Sequence, residues 1–383
     1  MALTIVILGA GWTGLPLAHR LLKYTSPKAS IKIILVTPSS HFFWNVAATR
    51  GVIPGEIPDD QLFYPIEAQF QQYSTDVFEL VLGSARSIDD AANTVHIDLN
   101  NGEARDLHYD QLVIATGSRL KSNVPLKLVG DYKASKQLFN TLQEKVGRAN
   151  DIVIAGSGAT GCEVAGELAA KYGKEKRITL IISGKSPLAN QPGIIDSVKT
   201  TIVNDLRKLN VTLIFNKRVE ESQDADTKTV VSLSDGSQIT TDLYLPLFGI
   251  QLNTEFVPTT FLDDANNIRL DETHQVSGTK NIWALGDVGN LHSKQITSTD
   301  GQIIYLASVL EQVALAKTEL SPKPYKPSDK PMVFVAMGRK YATGQIGGWR
   351  LPGWAVSYPK GRKLFVDSAA GYVAGKKLRH ESM

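Results

Sequence analysis

Two segments of the chain repeat one arrangement of an apolar strand, a glycine-rich turn and a helix. They begin at Leu3 and at Asp151, and a second apolar run follows each helix, at Ile31–Val36 and at Ile178–Ile182. The turn glycines are Gly9, Gly11 and Gly14 in the first copy and Gly156, Gly158 and Gly161 in the second. Two such βαβ units predict an α/β fold with two Rossmann-like dinucleotide-binding domains.

The glycine turns indicate pyrophosphate binding. A pyrophosphate binds at the positive end of a helix, close to bare backbone N–H groups. The first glycine permits the tight turn, the second lets phosphate approach the backbone, and the third lets the helix pack on the strand. In the first copy Ala10, Trp12 and Thr13 complete the turn and are candidate cofactor contacts.

The ends of the second strands lack the acidic residue that usually binds a ribose hydroxyl. The first unit has Thr37 there, and the second has Ser183-Gly184-Lys185. Because no acid stands there and Lys185 is available, a 2′-phosphate would not be repelled, and we expect NADPH to be accepted as well as NADH. The alternative is that Lys185 is a solvated surface lysine.

Two further strands end in residues suited to a dinucleotide. Gln111–Ala115 is followed by Thr116 and Gly117, and the apolar run from Asn281 is followed by Gly286 and Asp287. An aspartate there can accept hydrogen bonds from a ribityl hydroxyl or bind a phosphate through water. We therefore count Ala115, Thr116, Gly117 and Asp287 as cofactor-binding candidates.

The composition excludes several classes of site. The 383 residues carry a net charge of +3 and include one cysteine, Cys162, so neither a disulfide framework nor a cysteine metal site is expected. The seven histidines show no metal-ligand spacing, so we expect no metal. We also expect no nucleic-acid partner and no membrane-spanning run, and the second residue, Ala2, predicts no N-myristoylation.

Taken in order, these motifs resemble FAD-dependent pyridine nucleotide oxidoreductases of the glutathione reductase fold. More narrowly, the run Phe42–Arg50 (FFWNVAATR) resembles the ferroptosis suppressor protein family, also called mitochondrion-associated apoptosis-inducing-factor homologues. Tyr325-Lys-Pro, Met337-Gly-Arg and Leu364-Phe-Val are similar to the C-terminal segment of that family and its fungal members. The absence of paired cysteines argues against the disulfide reductases of this superfamily.

The resemblance implies that the chain is divided into three parts. An FAD-binding domain would be split between 1–120 and 250–322, with an NAD(P)H-binding domain inserted at 121–249. A C-terminal α+β subdomain would occupy 323–383. The cofactors implied are FAD, with NADH or NADPH as co-substrate.

The resemblance also implies roles for individual residues. Arg50 would contact FAD, Ala85 would meet the adenine through its backbone, and Asp287 would bind the ribityl-phosphate end. Glu163 would lie near the nicotinamide, and Lys294, aligned after a one-residue gap, would lie beside the flavin. The simpler alternatives are helix N-terminal charge stabilisation for Glu163 and a solvated loop for Lys294.

The family's activity implies NAD(P)H oxidation with reduction of a quinone such as ubiquinone. The alternatives are another small acceptor, such as monodehydroascorbate or a metabolite, and a signalling flavoprotein of the apoptosis-inducing-factor type. Phe42, Phe43 and Trp44 would wall the flavin or a quinone, or would simply pack in the core.

The C-terminal segment interleaves aromatic and basic residues, which suits peripheral binding to an anionic membrane or, equally, a folded subdomain with solvated cations. We expect a cytoplasmic protein, with attachment to a mitochondrion or lipid droplet as a possibility. The aromatic residues are Trp349, Trp354, Tyr358, Phe365 and Tyr372, and the basic residues are Arg350, Lys360, Arg362, Lys363, Lys376, Lys377 and Arg379. The sequence does not determine the oligomeric state.

Overall fold

The computed structural model describes residues 2–291, 294–315, 322–327 and 330–376. The strands in these ranges are β1 (Leu3–Leu8), β2 (Ile31–Thr37), β3 (His41–Phe43), β4 (Phe63–Pro65), β5 (Phe78–Asp89), β6 (Thr94–Leu99), β7 (Ala104–His108), β8 (Gln111–Ile114), β9 (Ser118–Leu120), β10 (Asp151–Ala155), β11 (Arg177–Ile182), β12 (Thr212–Phe215), β13 (Val219–Ala225), β14 (Lys228–Leu233), β15 (Gln238–Thr241), β16 (Leu243–Pro246), β17 (Ile250–Leu252), β18 (Ile282–Ala284), β19 (Met332–Met337), β20 (Tyr341–Ile346) and β21 (Trp349–Leu351). The α-helices are α1 (Gly14–Arg20), α2 (Asn45–Gly51), α3 (Ile66–Phe70), α4 (Tyr132–Arg148), α5 (Ala159–Tyr172), α6 (Asp196–Lys208), α7 (Thr299–Ala314), α8 (Gly353–Val356) and α9 (Val366–Val373), and π-helical stretches occupy Leu21–Thr25 and Ser357–Gly361.

The largest sheet draws its strands from distant parts of the chain, in the order β18-β8-β1-β2-β5-β6-β7. Strands β18, β8, β1, β2 and the start of β5 are parallel, and β6 and β7 extend the sheet antiparallel. Side chains alternate between faces along a strand. Accordingly Ile5 and Ile7 enter one core cluster, and Val6 and Leu8 enter the cluster on the opposite face.

The second glycine unit forms a separate parallel sheet, β12-β11-β10-β16. An antiparallel sheet, β13-β14-β15, packs against it through Val231 and Leu233, which contact Val153 and Ile181. The two chain crossings between the large sheets pair with each other as β9 and β17. These two sheets confirm the predicted pair of Rossmann-like units.

The C-terminal segment is an antiparallel sheet, β19-β20-β21, followed by short helices. One face of β19 packs on α5, because Gly166 of that helix has no side chain to separate it from Met337; a Cβ built on Gly166 would lie 2.4 Å from the Met337 Cβ. The opposite face, through Ala336 and Ala342, packs against Val356 of α8. The predicted α+β character of this segment is therefore confirmed.

Most element positions follow the sequence prediction. The apolar runs predicted at Ile31–Val36 and Ile178–Ile182 are observed as strands at Ile31–Thr37 and Arg177–Ile182. The domain division at residues 120, 249 and 322 stays a proposal. In the described residues, none of the helices combines the length and apolarity needed to cross a membrane.

Candidate functional site

The first glycine turn has the geometry that a pyrophosphate needs. Gly9 has φ +105°, and a Cβ there would lie 2.5 Å from the Ala115 carbonyl oxygen. A Cβ on Gly14 would lie 1.9 Å from the Gly9 carbonyl oxygen, so helix and strand meet there without side chains. Gly11 has no atom within 4 Å of its built Cβ. The middle glycine therefore borders open space at the start of α1, where helix N–H groups lack helical partners.

The second turn repeats these contacts almost atom for atom. Gly156 has φ +108°, with its built Cβ 2.5 Å from the Leu247 carbonyl oxygen, and a Cβ on Gly161 would lie 1.8 Å from the Gly156 carbonyl oxygen. Gly158 again borders open space. Both turns thus fit a dinucleotide pyrophosphate, because each leaves space at the middle glycine.

The structure brings the predicted FAD motifs together at the first turn. Gly9 contacts the Ala115 backbone, and a Cβ on Gly286 would lie 3.1 Å from Cγ2 of Thr13. Thr116 donates its hydroxyl to the Asn253 carbonyl at 2.7 Å, and Gly117 has φ +68° with open space beside it. Four segments far apart in sequence therefore come together at the first glycine turn, as FAD binding there requires.

Asp287 follows Gly286, which lies against the first glycine turn, but its side chain is already hydrogen-bonded. Its Oδ2 accepts from the Ser118 hydroxyl at 2.6 Å and from the Lys127 ammonium at 2.8 Å. Burial acts to raise the pKa of Asp287, but Lys127 and Ser118 outweigh it and lower the pKa. Sequence reasoning missed both partners. Ser118 directly follows a recognised motif, whereas nothing in the sequence marks Lys127.

Lys294 contacts the backbone of Asp287 and is not a solvated loop residue. Its ammonium donates to Asn267 Oδ1 at 2.7 Å, to the Gly289 carbonyl, and to the Asp287 backbone carbonyl. Burial lowers the pKa of Lys294, against the opposite effect of Asp287 and Asp263. Its three N–H groups therefore have protein acceptors, and its predicted place beside the flavin stays a proposal.

Glu163 lies just past the first turn of α5, which itself holds no acidic residue, and it is paired with a residue that the sequence did not connect to it. Its Oε1 accepts from the Lys360 ammonium at 2.6 Å and from the Ala336 backbone N–H at 3.1 Å. Lys360 also donates to the Phe334 carbonyl at 2.8 Å, and only 14% of its side chain is exposed. This corrects the interpretation of Lys360 as a membrane-facing cation.

Arg50 is buried in an ion pair that the sequence did not predict. Its guanidinium bonds both carboxylate oxygens of Glu167 at 2.8 and 2.9 Å, and it donates to the carbonyls of Gly361 and Arg362. Four of its five N–H groups are thereby used. A contact to FAD would depend on the one that remains, so the main role visible for Arg50 is to join α2, α5 and the C-terminal segment.

The remaining candidates are Ala85, Thr37 and Lys185, which lie on or just after strands of the two large sheets. Ala85 follows the point where β5 leaves β2, since Thr37 pairs with Leu82 and Ala85 pairs with Ile97 of β6. The buried Thr37 hydroxyl accepts from the Ser39 N–H at 3.4 Å. Lys185 is exposed and, within the described residues, pairs with no carboxylate, as expected for a surface lysine.

The aromatic run before α2 belongs to the core. Phe42, Phe43 and Trp44 are buried, and the Trp12 ring is tilted against Trp44 with 4.7 Å between the ring centroids. Cys162 is also buried, and burial raises the pKa of its thiol well above the usual range. The core interpretation is the one observed for these residues.

Comparison with known proteins agrees with this geometry. The family model described as pyridine nucleotide-disulphide oxidoreductase matches residues 3–313. The chain is 39% identical to oxidoreductase ptaL of Pestalotiopsis fici, covering 98% of this chain and 99% of the relative. It is 28% identical to human ferroptosis suppressor protein 1, covering 96% and 95%.

Two solved structures share the fold. The sulfide:quinone oxidoreductase of Aquifex aeolicus matches with a TM-score of 0.80 at 18% identity, covering 99% of this chain and 93% of the other. NDH2 from Plasmodium falciparum in complex with NADH matches with a TM-score of 0.75 at 15% identity, covering 98% and 99%. With FAD and NADH or NADPH as its cofactors, this chain belongs to the pyridine nucleotide-disulphide oxidoreductase family.

Proposed function

We propose that the protein is an NAD(P)H:quinone oxidoreductase that passes electrons from NADH or NADPH through FAD to a quinone such as ubiquinone. The observation that carries the proposal is the pair of matched glycine turns on two sheets. The names of the ferroptosis suppressor relatives and of the quinone-acting structural neighbour support it. The single buried cysteine supports an acceptor other than a disulfide.

When bound, FAD supplies the hydride acceptance and onward electron transfer. The chain binds and orients the two dinucleotides at its glycine turns. Within the part of the chain that the structure describes, Glu163 and Phe334 accept from two of the three N–H groups of Lys360, so one remains to donate to a ligand. We assign Lys360 the role of stabilising negative charge at the second dinucleotide turn, with Glu163 holding its ammonium in place.

The proposal is tested by stopped-flow reduction of the purified flavoprotein with NADH, followed by reoxidation with ubiquinone analogues, ferricyanide and oxygen. We expect rapid flavin bleaching and fastest reoxidation by the quinone. Lys360→Met should slow bleaching on the order of a hundredfold. Lys363→Met is the matched control, because Lys363 lies three residues after Lys360 but pairs with the exposed Asp367. A colourless protein, or one that quinones do not reoxidise, would contradict the proposal.

The donor specificity follows from the end of β11. Lys185 can attract a 2′-phosphate, and the two residues before it, Ser183 and Gly184, are not acidic and do not repel a phosphate. We propose that NADPH is accepted alongside NADH, and that Lys185→Glu lowers the kcat/KM ratio of NADPH to NADH by at least about tenfold. A wild-type protein that oxidises NADPH only at a trace of the NADH rate would contradict this.

Two other functions remain as alternatives. Slow NADH turnover with a long-lived charge-transfer band would favour a signalling role of the apoptosis-inducing-factor type. Reoxidation by monodehydroascorbate or another metabolite, in preference to quinones, would favour a different acceptor.

A further inference from the structure

The C-terminal helix α9 contacts the first glycine turn directly. Tyr372, on the last turn of α9, donates its hydroxyl to the Trp12 carbonyl oxygen at 3.2 Å. Burial raises the pKa of Tyr372 far above its usual value, so the phenol keeps its proton, and because a carbonyl oxygen only accepts, Tyr372 is the donor. Trp12 lies between the second and third glycines of the turn.

The planar peptide makes this contact relevant to the cofactor. The Trp12 carbonyl and the Thr13 N–H belong to one trans peptide unit, in which C=O and N–H point in opposite directions. A donor that fixes the carbonyl therefore fixes the direction of the N–H. Thr13 is the N-cap of α1, which continues into the π-helical stretch Leu21–Thr25. Its N–H belongs to the group that a helix start offers to a phosphate.

The helix that carries Tyr372 is anchored independently at both ends. Trp44 donates its indole N–H to the Leu364 carbonyl at 3.0 Å, and His19 Nε2 donates to the Val373 carbonyl at 2.9 Å. The Trp12 and Tyr372 rings are in contact, with centroids 5.2 Å apart. The Trp12 indole N–H in turn donates to Asn45 Oδ1 at 2.8 Å. The Tyr372 hydroxyl is thus held rigidly against the turn.

We propose that Tyr372 is a positioning residue for FAD: by orienting the Trp12–Thr13 peptide, it slows loss of the cofactor. The C-terminal segment would then have two separate roles, since Lys360 serves the second dinucleotide turn and Tyr372 serves the first. The inference depends on FAD binding at the first turn. It does not depend on which acceptor takes the electrons.

Tyr372→Phe tests the proposal, because it removes one hydroxyl and keeps the ring. FAD release from the holoenzyme is followed after dilution by the rise in flavin fluorescence. We expect release about tenfold faster than in the wild type, the size of effect expected for one hydrogen bond. Tyr358→Phe is the control, since that ring is 69% exposed, and it should release FAD at the wild-type rate.

A second measurement separates positioning from packing. Trypsin cleavage after the exposed Arg362 and Lys363 reports detachment of α9. If Tyr372 acts as proposed, Tyr372→Phe is cut at the wild-type rate while FAD leaves faster. Unchanged FAD release would overturn the proposal, and so would faster cleavage in parallel with faster release. A wild-type protein that holds no FAD would instead overturn the proposed function.

Discussion

Two glutamates one turn apart on α5 hold cations from two other parts of the chain. Glu163 pairs with Lys360 of the C-terminal segment, and Glu167 pairs with Arg50 of α2. All four side chains are largely shielded from water. Burying a charge is costly unless it is paired and hydrogen-bonded, so each partner depends on the other. These pairs tie both ends of the chain to the second dinucleotide unit.

Removing only Arg50 should therefore destabilise the protein strongly. In Arg50→Ala the Glu167 carboxylate is left buried and unpaired, which costs about 3–5 kcal/mol of unfolding free energy. The double variant Arg50→Met/Glu167→Leu buries no charge and should recover most of that loss. Urea unfolding of the holoenzymes measures both effects. Equal losses in the single and double variants would show that the charge pairing is not the cause.

His19 should make stability depend on pH. Its Nε2 donates to a carbonyl, so Nδ1 accepts from the Tyr73 hydroxyl at 3.2 Å, and the ring stacks on Phe70. Burial lowers the pKa of His19 from 6.5 to about 4, and the Val373 contact only partly opposes this. The folded state thus favours the neutral ring. Its stability contribution is complete above pH 6.5 and is lost as pH falls towards 4, because only the unfolded chain binds the proton there.

His19→Gln, which keeps a neutral donor and acceptor, isolates this effect. The unfolding free energy of the wild type minus that of the variant should be constant above pH 6.5 and decrease by up to about 1.4 kcal/mol per pH unit below it. A difference that does not change with pH would show that His19 titrates normally.

At the residue scale, local roles were predictable and long-range partners were not. The glycines of both turns could be assigned because their requirement lies in the backbone of a short motif. Lys360 and Lys127 could not, because each finds its carboxylate 197 and 160 positions away, respectively. Such pairings depend on the packing of elements, which a single sequence does not specify.

Among the elements, α5 does the most to connect the molecule. It begins at the second glycine turn, packs on β10 and β11, and carries β19 across its middle at Gly166. The sequence predicted α5 and the β-rich C-terminal segment separately. The sequence contained no signal that the C-terminal segment would lie on α5. Gly166 could have been such a signal, but a glycine in this helix is explained equally well by the glycine motif that precedes it.

Gly166→Ala should loosen this contact. The new methyl group would lie 2.4 Å from Met337 Cβ and 2.6 Å from its Cα, so β19 would have to shift. Overpacking of this kind costs about 1–3 kcal/mol, and we expect a lower Tm. Gly147→Ala on α4 is the matched control, since its methyl would meet Pro54 at an ordinary 3.5 Å and should leave Tm unchanged or raise it.

For the whole molecule, the charged and aromatic face of the C-terminal segment is the surface most suited to a membrane. Trp349, Trp354 and Tyr358 are 82%, 76% and 69% exposed. Trp354 and Tyr358 line a cavity of about 970 Å³, whose lining cations are Arg339, Lys340, Arg350, Arg362 and Lys363. Lys377 and Arg379 lie outside the described residues. Aromatic rings with a polar edge favour the bilayer interface, and clustered cations attract anionic lipid.

We expect the protein to float with anionic liposomes and not with neutral ones. The variant Trp349→Ser/Trp354→Ser should lose most of this flotation while keeping its FAD. Point variants are required because deletion after Pro359 would remove Lys360 and Tyr372, which lie inside the molecule. Flotation that is equal for the variant and the wild type would exclude this surface.

The edge position of β18 determines when the first dinucleotide site can be completed during synthesis. β8 is translated by residue 114, but its neighbour β18 is not made until residues 282–284, after the whole inserted unit. Until then β8 pairs only with β1, and its other side is an open sheet edge, which is prone to pair with other chains. The nascent protein therefore carries an exposed edge for 167 residues of elongation, and chaperone binding should concentrate in that interval.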